Sequence, residues 1–279
     1  VLDEVRMLQP EPTRVLDAGY VTLINWMGTE ESVVEAARMS TSGGFVSWDP
    51  YPDHPKGDAG LLTYLYREGH HTPFEMCELL LEVQLPILVM REFVRHRTLS
   101  FNELSARYTQ MPNLHYVPPL DRMVQQSKTN KQGSALEPLD PLLADSLVTG
   151  FRDEQQDIYE RYERALESGL VREVARVNTP VARYTRMRVK GNLRNWLLFL
   201  GQRMAPNAQQ EIRAYAYAIA KIVQQHWPRT YALFEEWELN GARVSGTQLE
   251  QQRVTQERLA VVEKMLDALD PEWRGKLPF

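Results

Sequence analysis

The chain has 279 residues with a net charge of -5, 43% hydrophobic and 25% charged residues, which excludes wholesale disorder and fibrous architecture and leaves ample length to bury a core. The mild acidity argues against a general nucleic-acid binder, for which a basic face is the electrostatic signature. One cysteine, Cys77, rules out an intrachain disulfide and fits a reducing cytosol. No apolar run reaches a membrane span, and the acidic, proline-containing start lacks a signal-peptide segment, so a cytoplasmic protein without a membrane partner is expected.

In chain order, "GYVTLINWM" (19–27) predicts a strand and "TEESVVEAARMS" (29–40) a helix opened by Thr29, with acids in its first turn. A Gly- and Pro-rich loop follows over 42–57, then a short helix with Asp58 as N-cap and Gly69 as stop. Residues 77–85 alternate, with Leu79, Leu81, Val83 and Leu85 on one face and Glu78, Glu82 and Gln84 on the other, which is strand periodicity. Pro86 can open a helix ending near Arg97. Residues 119–141 lack a period and are rich in turn formers, predicting a mobile excursion. A long helix is expected over 142–168, ended by Gly169, and a shorter one over 171–177. "VARYTRMRVK" (181–190) alternates as a strand closed by Gly191, and helices are expected over 192–204, 208–227, 229–239 and 247–269. The last carries a stripe of Leu259, Val262, Leu266 and Leu269 that could pack on the body or on another subunit. The fold class is therefore α+β, one helix-rich domain over 1–240 with a small, mostly antiparallel sheet, followed by a C-terminal helical extension over 241–279.

The densest chemistry lies at 95–108, "RHRTLSFNELSARY". Arg91 and Arg95, four apart on the predicted helix, would repel as neighbours on one face unless solvated or neutralised. Ser100, Asn102, Ser105 and Arg107 follow as hydroxyl, amide and guanidinium donors of the kind that hold phosphate. A solvated basic face and a phosphate site both fit. Ser105 reads as a ligand donor rather than a nucleophile, because no base or orienting group stands near it in sequence. Cys77 lacks an adjacent cation to activate it and reads as a buried, inert thiol. Arg203 occupies the i+7 position of the apolar stripe Trp196, Phe199, Leu200 and must meet a partner. Glu211 as that partner and a ligand carbonyl as its target are both open. His70 and His71 are adjacent with no second cluster at ligand spacing, so no metal site is expected, and neither a G-x-G-x-x-G nor a Walker-type loop is present.

The 95–107 run resembles the R-H-R-x-x-S-x-x-x-x-S-x-R signature of the flavin-dependent thymidylate synthases at every fixed position. "AARMS" (36–40), "GHHTPFE" (69–75), "REVAR" (172–176), "YTR", "GNLRNW" and "AQQEI" (208–212) are similar to other blocks of that family in the same order, covering about residues 18 to 235. The resemblance implies a homotetramer that binds FAD, dUMP, NADPH and methylenetetrahydrofolate and reductively methylates dUMP to dTMP. It implies flavin contacts for Ser40, His70, Thr72, Glu75, Arg95, His96, Arg97, Thr98, Glu103, Asn192, Arg194 and Leu198. It implies dUMP contacts for Glu92, Arg95, Glu103, Leu104, Ser105, Ala106, Arg107, Arg176 and Arg203, with Arg203 against the uracil ring as the catalytic residue. No protein nucleophile is then required. Three positions depart from the pattern: Asn207 where a histidine is frequent, Leu198 where an asparagine can approach the flavin, and Glu92 where some members have glutamine. Three alternatives stand beside this: an enzyme acting on another pyrimidine nucleotide or making a hydroxymethyl product, a single-strand-binding module using Tyr108, Tyr116 and Tyr184 as stacking platforms, and a purely structural helical oligomer.

Overall fold

The computed structural model describes residues 11–41, 43–128 and 134–241, together with Gln251, Arg253, Thr255, Gln256 and Ala260. The chain divides into two compact units, Val1–Leu239 and Asn240–Phe279. In the second, the five described residues from Gln251 onward are helical; the stripe Leu259, Val262, Leu266 and Leu269 lies outside the described residues.

The first unit is built on a five-stranded antiparallel sheet in the order β1 (Thr13–Val15), β2 (Gly19–Met27), β3 (Glu78–Pro86), β7 (Tyr184–Asn192), β4 (Ser100–Glu103). Period-two alternation decides its two faces. On β3, Leu79, Leu81, Val83 and Leu85 are fully buried, while on the other face Glu82 pairs with Arg188 and Glu78 with Lys190, each at 2.9 Å. Helices α6 (Leu193–Arg203), α7 (Gln210–His226) and α8 (Pro228–Phe234) share one core with the apolar face. Complete burial of Trp196, Phe199 and Leu200 on α6 contributes about 1.5–3 kcal/mol per side chain. α1 (Glu30–Arg38) follows Thr29, whose N–H donates to Ser32 Oγ at 3.2 Å, and the long α4 (Pro141–Glu167) starts from a true cap, the Asp140 carboxylate accepting from the amides of Leu142 and Leu143. Gly169, at φ 85°, ends its run.

Four sequence expectations change. Asp58 is not the N-cap of α2 (Gly57–Arg67), which Lys56 precedes; it is a fully buried carboxylate claimed by the amides of Val46 and Ser47 at 2.7 and 3.2 Å, the Tyr51 hydroxyl at 3.0 Å and Arg38. Gly191 does not close β7 but lies inside it, opposite Leu79; a Cβ there would sit 2.3 Å from Leu99 Cδ2, so the residue serves close approach rather than a turn. The 119–141 stretch carries a two-stranded hairpin of β5 (Val124–Gln126) and β6 (Ser134–Pro138), with a 3-10 turn before it. The helix after Pro86 is short: α3 covers Ile87–Phe93 and stops before the arginine-rich run.

Candidate active site

Beyond Phe93 the chain tightens into successive turns, with Arg95 N–H donating to Glu92 O (3.3 Å), His96 N–H to Phe93 O (2.9 Å) and Leu99 N–H to His96 O (3.0 Å). Arg95 therefore lies past the end of the helix that carries Arg91, whereas the sequence reading put both on one helix. The turns swing His96 inward, where it is 8% exposed, and leave Arg91, Arg95, Arg97 and Thr98 outward. No ion pair joins Arg91, Arg95 or Arg97 to an acid among the described residues. The donor run after Thr98 is an edge strand rather than a loop, because Ser100–Glu103 pairs with β7 from Lys190 to Met187.

Arg203 ends α6 at the foot of its apolar stripe and meets that segment from behind. Its Nη1 donates to Glu92 Oε2 at 3.0 Å, its Nη2 to the Glu92 carbonyl at 3.2 Å and its Nε to His96 Nε2 at 2.9 Å. The partner is thus Glu92 and not Glu211, which is engaged by Arg122 (2.9 Å), Tyr116 (2.9 Å) and Gln209 (2.8 Å). Glu92 Oε1 is buried and has no hydrogen-bond partner. Burial raises the Glu92 carboxyl above its ordinary range against the lowering pull of Arg203. The result is a guanidinium locked from three sides on one edge, a group suited to polarising a ring carbonyl or holding a ring anion.

Burial and the adjacent Arg203 guanidinium push the His96 imidazole down to about 4. Its Nε2 accepts from Arg203, so the neutral ring carries its proton on Nδ1. The unfolded chain takes up a second imidazole proton, at Nε2, near 6.5 and the folded chain only near 4, so stability is full above the upper value and falls as pH drops through this window. Between neutrality and about pH 5 the expected loss from His96 is about 2 kcal/mol. His115, pushed to about 4 by burial and Arg183, adds a second contribution in the same window. Denaturant unfolding of His96→Gln at several pH values should show a shallower slope than wild type over this window; an unchanged slope would show that His96 already protonates freely in the folded protein.

A second group surrounds a cavity of about 300 Å³ between β4, β7 and the start of α3. Glu103, Leu104, Ser105, Ala106 and Arg176 line it, joined by Met111, Thr179, Arg183 and Thr185. Glu103 Oε1 accepts from the Thr185 hydroxyl at 2.7 Å, and Leu104 N–H donates to Arg186 O at 2.8 Å. Ser105 opens a turn, its carbonyl accepting from Tyr108 and Thr109 and its Oγ from Arg107 N–H at 3.3 Å. Arg107 itself points away, pairing with Glu173 at 3.1 Å on the surface. Arg183 was not singled out by motif, yet the alternation of β7 offered the signal: Thr185, Met187 and Val189 are its inward residues, and Arg183 shares their parity.

The remaining candidates gather around the β7–α6 junction. Asn192 is the last strand residue and also the N-cap of α6, its side chain accepting from Asn195 N–H at 3.0 Å. Arg194 pairs with Glu75, and Asn195 Nδ2 reaches Thr98 O at 3.4 Å. Thr72 and Leu198 are exposed nearby in sequence to these contacts. Ser40 and His70 are also exposed, His70 lying edge-on to Tyr64 with centroids 5.5 Å apart; none of the described hydrogen bonds joins either to the other candidates. Cys77 is fully buried, donates from Sγ to Thr29 O at 3.3 Å, and is pushed up to about 12 by desolvation, so no thiolate is offered for catalysis. Among the described residues no cluster of three metal-ligating side chains occurs, and no helix is long and apolar enough to cross a membrane.

Comparison with known proteins places this geometry. A family model described as thymidylate synthase complementing protein matches residues 22–229. A flavin-dependent thymidylate synthase of Anaplasma marginale is 42% identical over 253 residues, covering 91% of this chain and 81% of that one. One from Wolbachia pipientis is 38% identical over 250 residues, covering 90% and 85%. Among solved structures, the UMP/dUMP methylase PolB from Streptomyces cacaoi bound with 5-Br UMP superposes with a TM-score of 0.70 at 30% identity, covering 81% of this chain and 97% of that one. With a family match over most of its length and relatives this close, the chain belongs to the flavin-dependent thymidylate synthase family.

Proposed function

We propose that the protein methylates dUMP to dTMP with FAD as its bound cofactor, NADPH as reductant and methylenetetrahydrofolate as one-carbon donor. The observation that carries this reading is the outward trio Arg91, Arg95 and Arg97, unpaired with any described acid, beside an inward arginine, Arg203, whose orientation is fixed by Glu92 and His96. Unpaired guanidinium groups crowded within seven residues are tolerable when an anion sits among them. The residues fit a flavin nucleotide: Arg95 and Arg97 offer forked donors for its diphosphate, with Thr98, Asn192, Arg194 and Glu75 at the adjoining junction.

When bound, the flavin supplies hydride to the pyrimidine-bound carbon, so that tetrahydrofolate leaves unoxidised. The chain's own part is positional. Ser105 and Arg176, on the wall of the cavity, take the nucleotide; Arg203 holds the uracil ring and withdraws charge from it; and the buried Cys77 takes no part. Arg107 reaches the substrate only after releasing Glu173, an exposed pair that costs little to open. Assembly into a homotetramer is supported by the apolar side chains Leu142, Leu143, Leu147 and Phe151 that α4 leaves exposed.

A second reading keeps the chemistry and widens the substrate to UMP, because the solved neighbour at 30% identity is a UMP/dUMP methylase. Both are tested by one preparation. The purified protein should carry a flavin spectrum and form dTMP only when dUMP, methylenetetrahydrofolate and NADPH are all present. Product analysis with UMP in place of dUMP decides between the readings, and a colourless protein that makes neither product would end both.

A further inference from the structure

Arg183 is 1% exposed, yet among the described residues no acid pairs with it. Its Nη1 donates to Pro112 O at 3.0 Å, its Nη2 lies 3.3 Å from His115 Nε2, and the rings of Tyr159 and Tyr162 face its guanidinium carbon at 5.2 and 5.8 Å. Its Nε is buried with no hydrogen-bond partner. Carbonyl and ring faces stabilise a cation only in part, and a buried guanidinium without a counter-ion is a costly arrangement. His115, neutral or cationic by nature, cannot supply a counter-charge, and burial and Arg183 keep it neutral.

The same side chain stands in the wall of the 300 Å³ cavity that holds Ser105 and Arg176. One acid, Glu103, lines that space against two arginines, and its Oε1 is already satisfied by Thr185. We propose that Arg183 is a positioning residue for the substrate: a permanently charged group in the cavity wall whose missing counter-ion is the nucleotide's phosphate. This rests on the reading of the cavity as the nucleotide site. The guanidinium need not touch the phosphate, since through a low-dielectric wall a fixed charge acts across several ångströms.

The test compares dUMP with deoxyuridine, which presents the same base and sugar without the phosphate, on flavin-loaded protein. In Arg183→Met, dUMP should bind about tenfold more weakly, roughly 1.4 kcal/mol, while deoxyuridine changes by less than about twofold. Arg183→Lys should keep the wild-type ratio of the two affinities. Arg183→Gln, which retains a donor for Pro112 O, serves if the methionine variant does not fold. Equal weakening of dUMP and deoxyuridine, or no weakening of dUMP, overturns the proposal. Failure of both neutral variants to fold while Arg183→Lys behaves as wild type would assign the charge to fold stability and likewise overturn it. Wild-type protein that binds dUMP no better than deoxyuridine would instead overturn the phosphate reading of the cavity itself, a failure visible before any variant is made.

Discussion

Replacing Arg203 by alanine is expected to lower the turnover of dUMP to dTMP by on the order of 10²–10³-fold, the loss typical of one oriented donor in a preorganised site. Arg203 is held by Glu92 Oε2 at 3.0 Å, Glu92 O at 3.2 Å and His96 Nε2 at 2.9 Å, so on the proposed role its remaining N–H groups would meet the uracil ring without further reorganisation. Truncation also strips the Glu92 carboxylate of its cation; already raised by burial, that carboxyl would protonate more readily. Arg203→Lys should recover little, because an ammonium cannot fork between a carboxylate, a carbonyl and an imidazole. Single-turnover formation of dTMP on flavin-loaded protein measures the chemistry apart from product release. Cys77→Ala is the internal control and should keep wild-type turnover. If the alanine at 203 is silent, or the alanine at 77 abolishes turnover while flavin content and folding persist, the assigned roles are wrong.

Asp58→Ala is expected to cost the fold about 3–5 kcal/mol, the range for removing one member of a buried ion pair, and to lower Tm on the order of 10 °C. The carboxylate is fully buried and is the common acceptor for Arg38, the Tyr51 hydroxyl and the amides of Val46 and Ser47. Its removal orphans two N–H groups and leaves Arg38, whose side chain is 14% exposed and whose Nε already lacks a partner, with the Tyr51 hydroxyl alone. Burial opposes ionisation of this acid, but the amide and hydroxyl donors and Arg38 outweigh it and hold the carboxyl below its usual range. Its stabilising contribution is therefore complete above the ordinary carboxylate range and disappears as pH falls through the lowered folded value. Thermal melts of wild type and Asp58→Ala should differ most near neutrality and converge in acid; a constant gap at all pH values would assign the loss to packing instead of charge.

Asp58 also marks where reading the chain alone falls short. As a carboxylate before an apolar run it has the look of a helix cap, but the amides that claim it belong to residues 46 and 47 of a preceding loop, and local pattern holds no information on that approach. Arg203 shows the same limit: the acid eight residues ahead, Glu211, is consumed by Arg122 from 89 residues away, and Glu92 arrives from 111 residues away. Where periodicity alone decides, the outcome is as expected. β3 occupies Glu78–Pro86, against 77–85 from its alternation, and α4 ends just before Gly169, since alternation and left-handed glycine act through neighbours in the chain. The β5–β6 hairpin was invisible because its pairs, Val124 with Pro138 and Gln126 with Ser134, carry no alternating apolar face. The donors of the 95–107 signature were legible as residue types, but their division into an inward His96 and outward Arg95 and Arg97 arises from turns that only the folded backbone reveals.

The junction at Asn192 has a mechanical corollary. Since β7 passes into α6 with one residue serving as both strand end and helix cap, no slack separates the sheet from the arginine eleven residues further on. One extra residue spliced between Gly191 and Leu193 would turn the whole helix by roughly 100° about its axis, carrying residue 203 out of reach of Glu92 while leaving overall helicity almost untouched. The register of this joint is thus a gear setting: length here, more than composition, decides whether the Arg203 guanidinium meets Glu92 and His96.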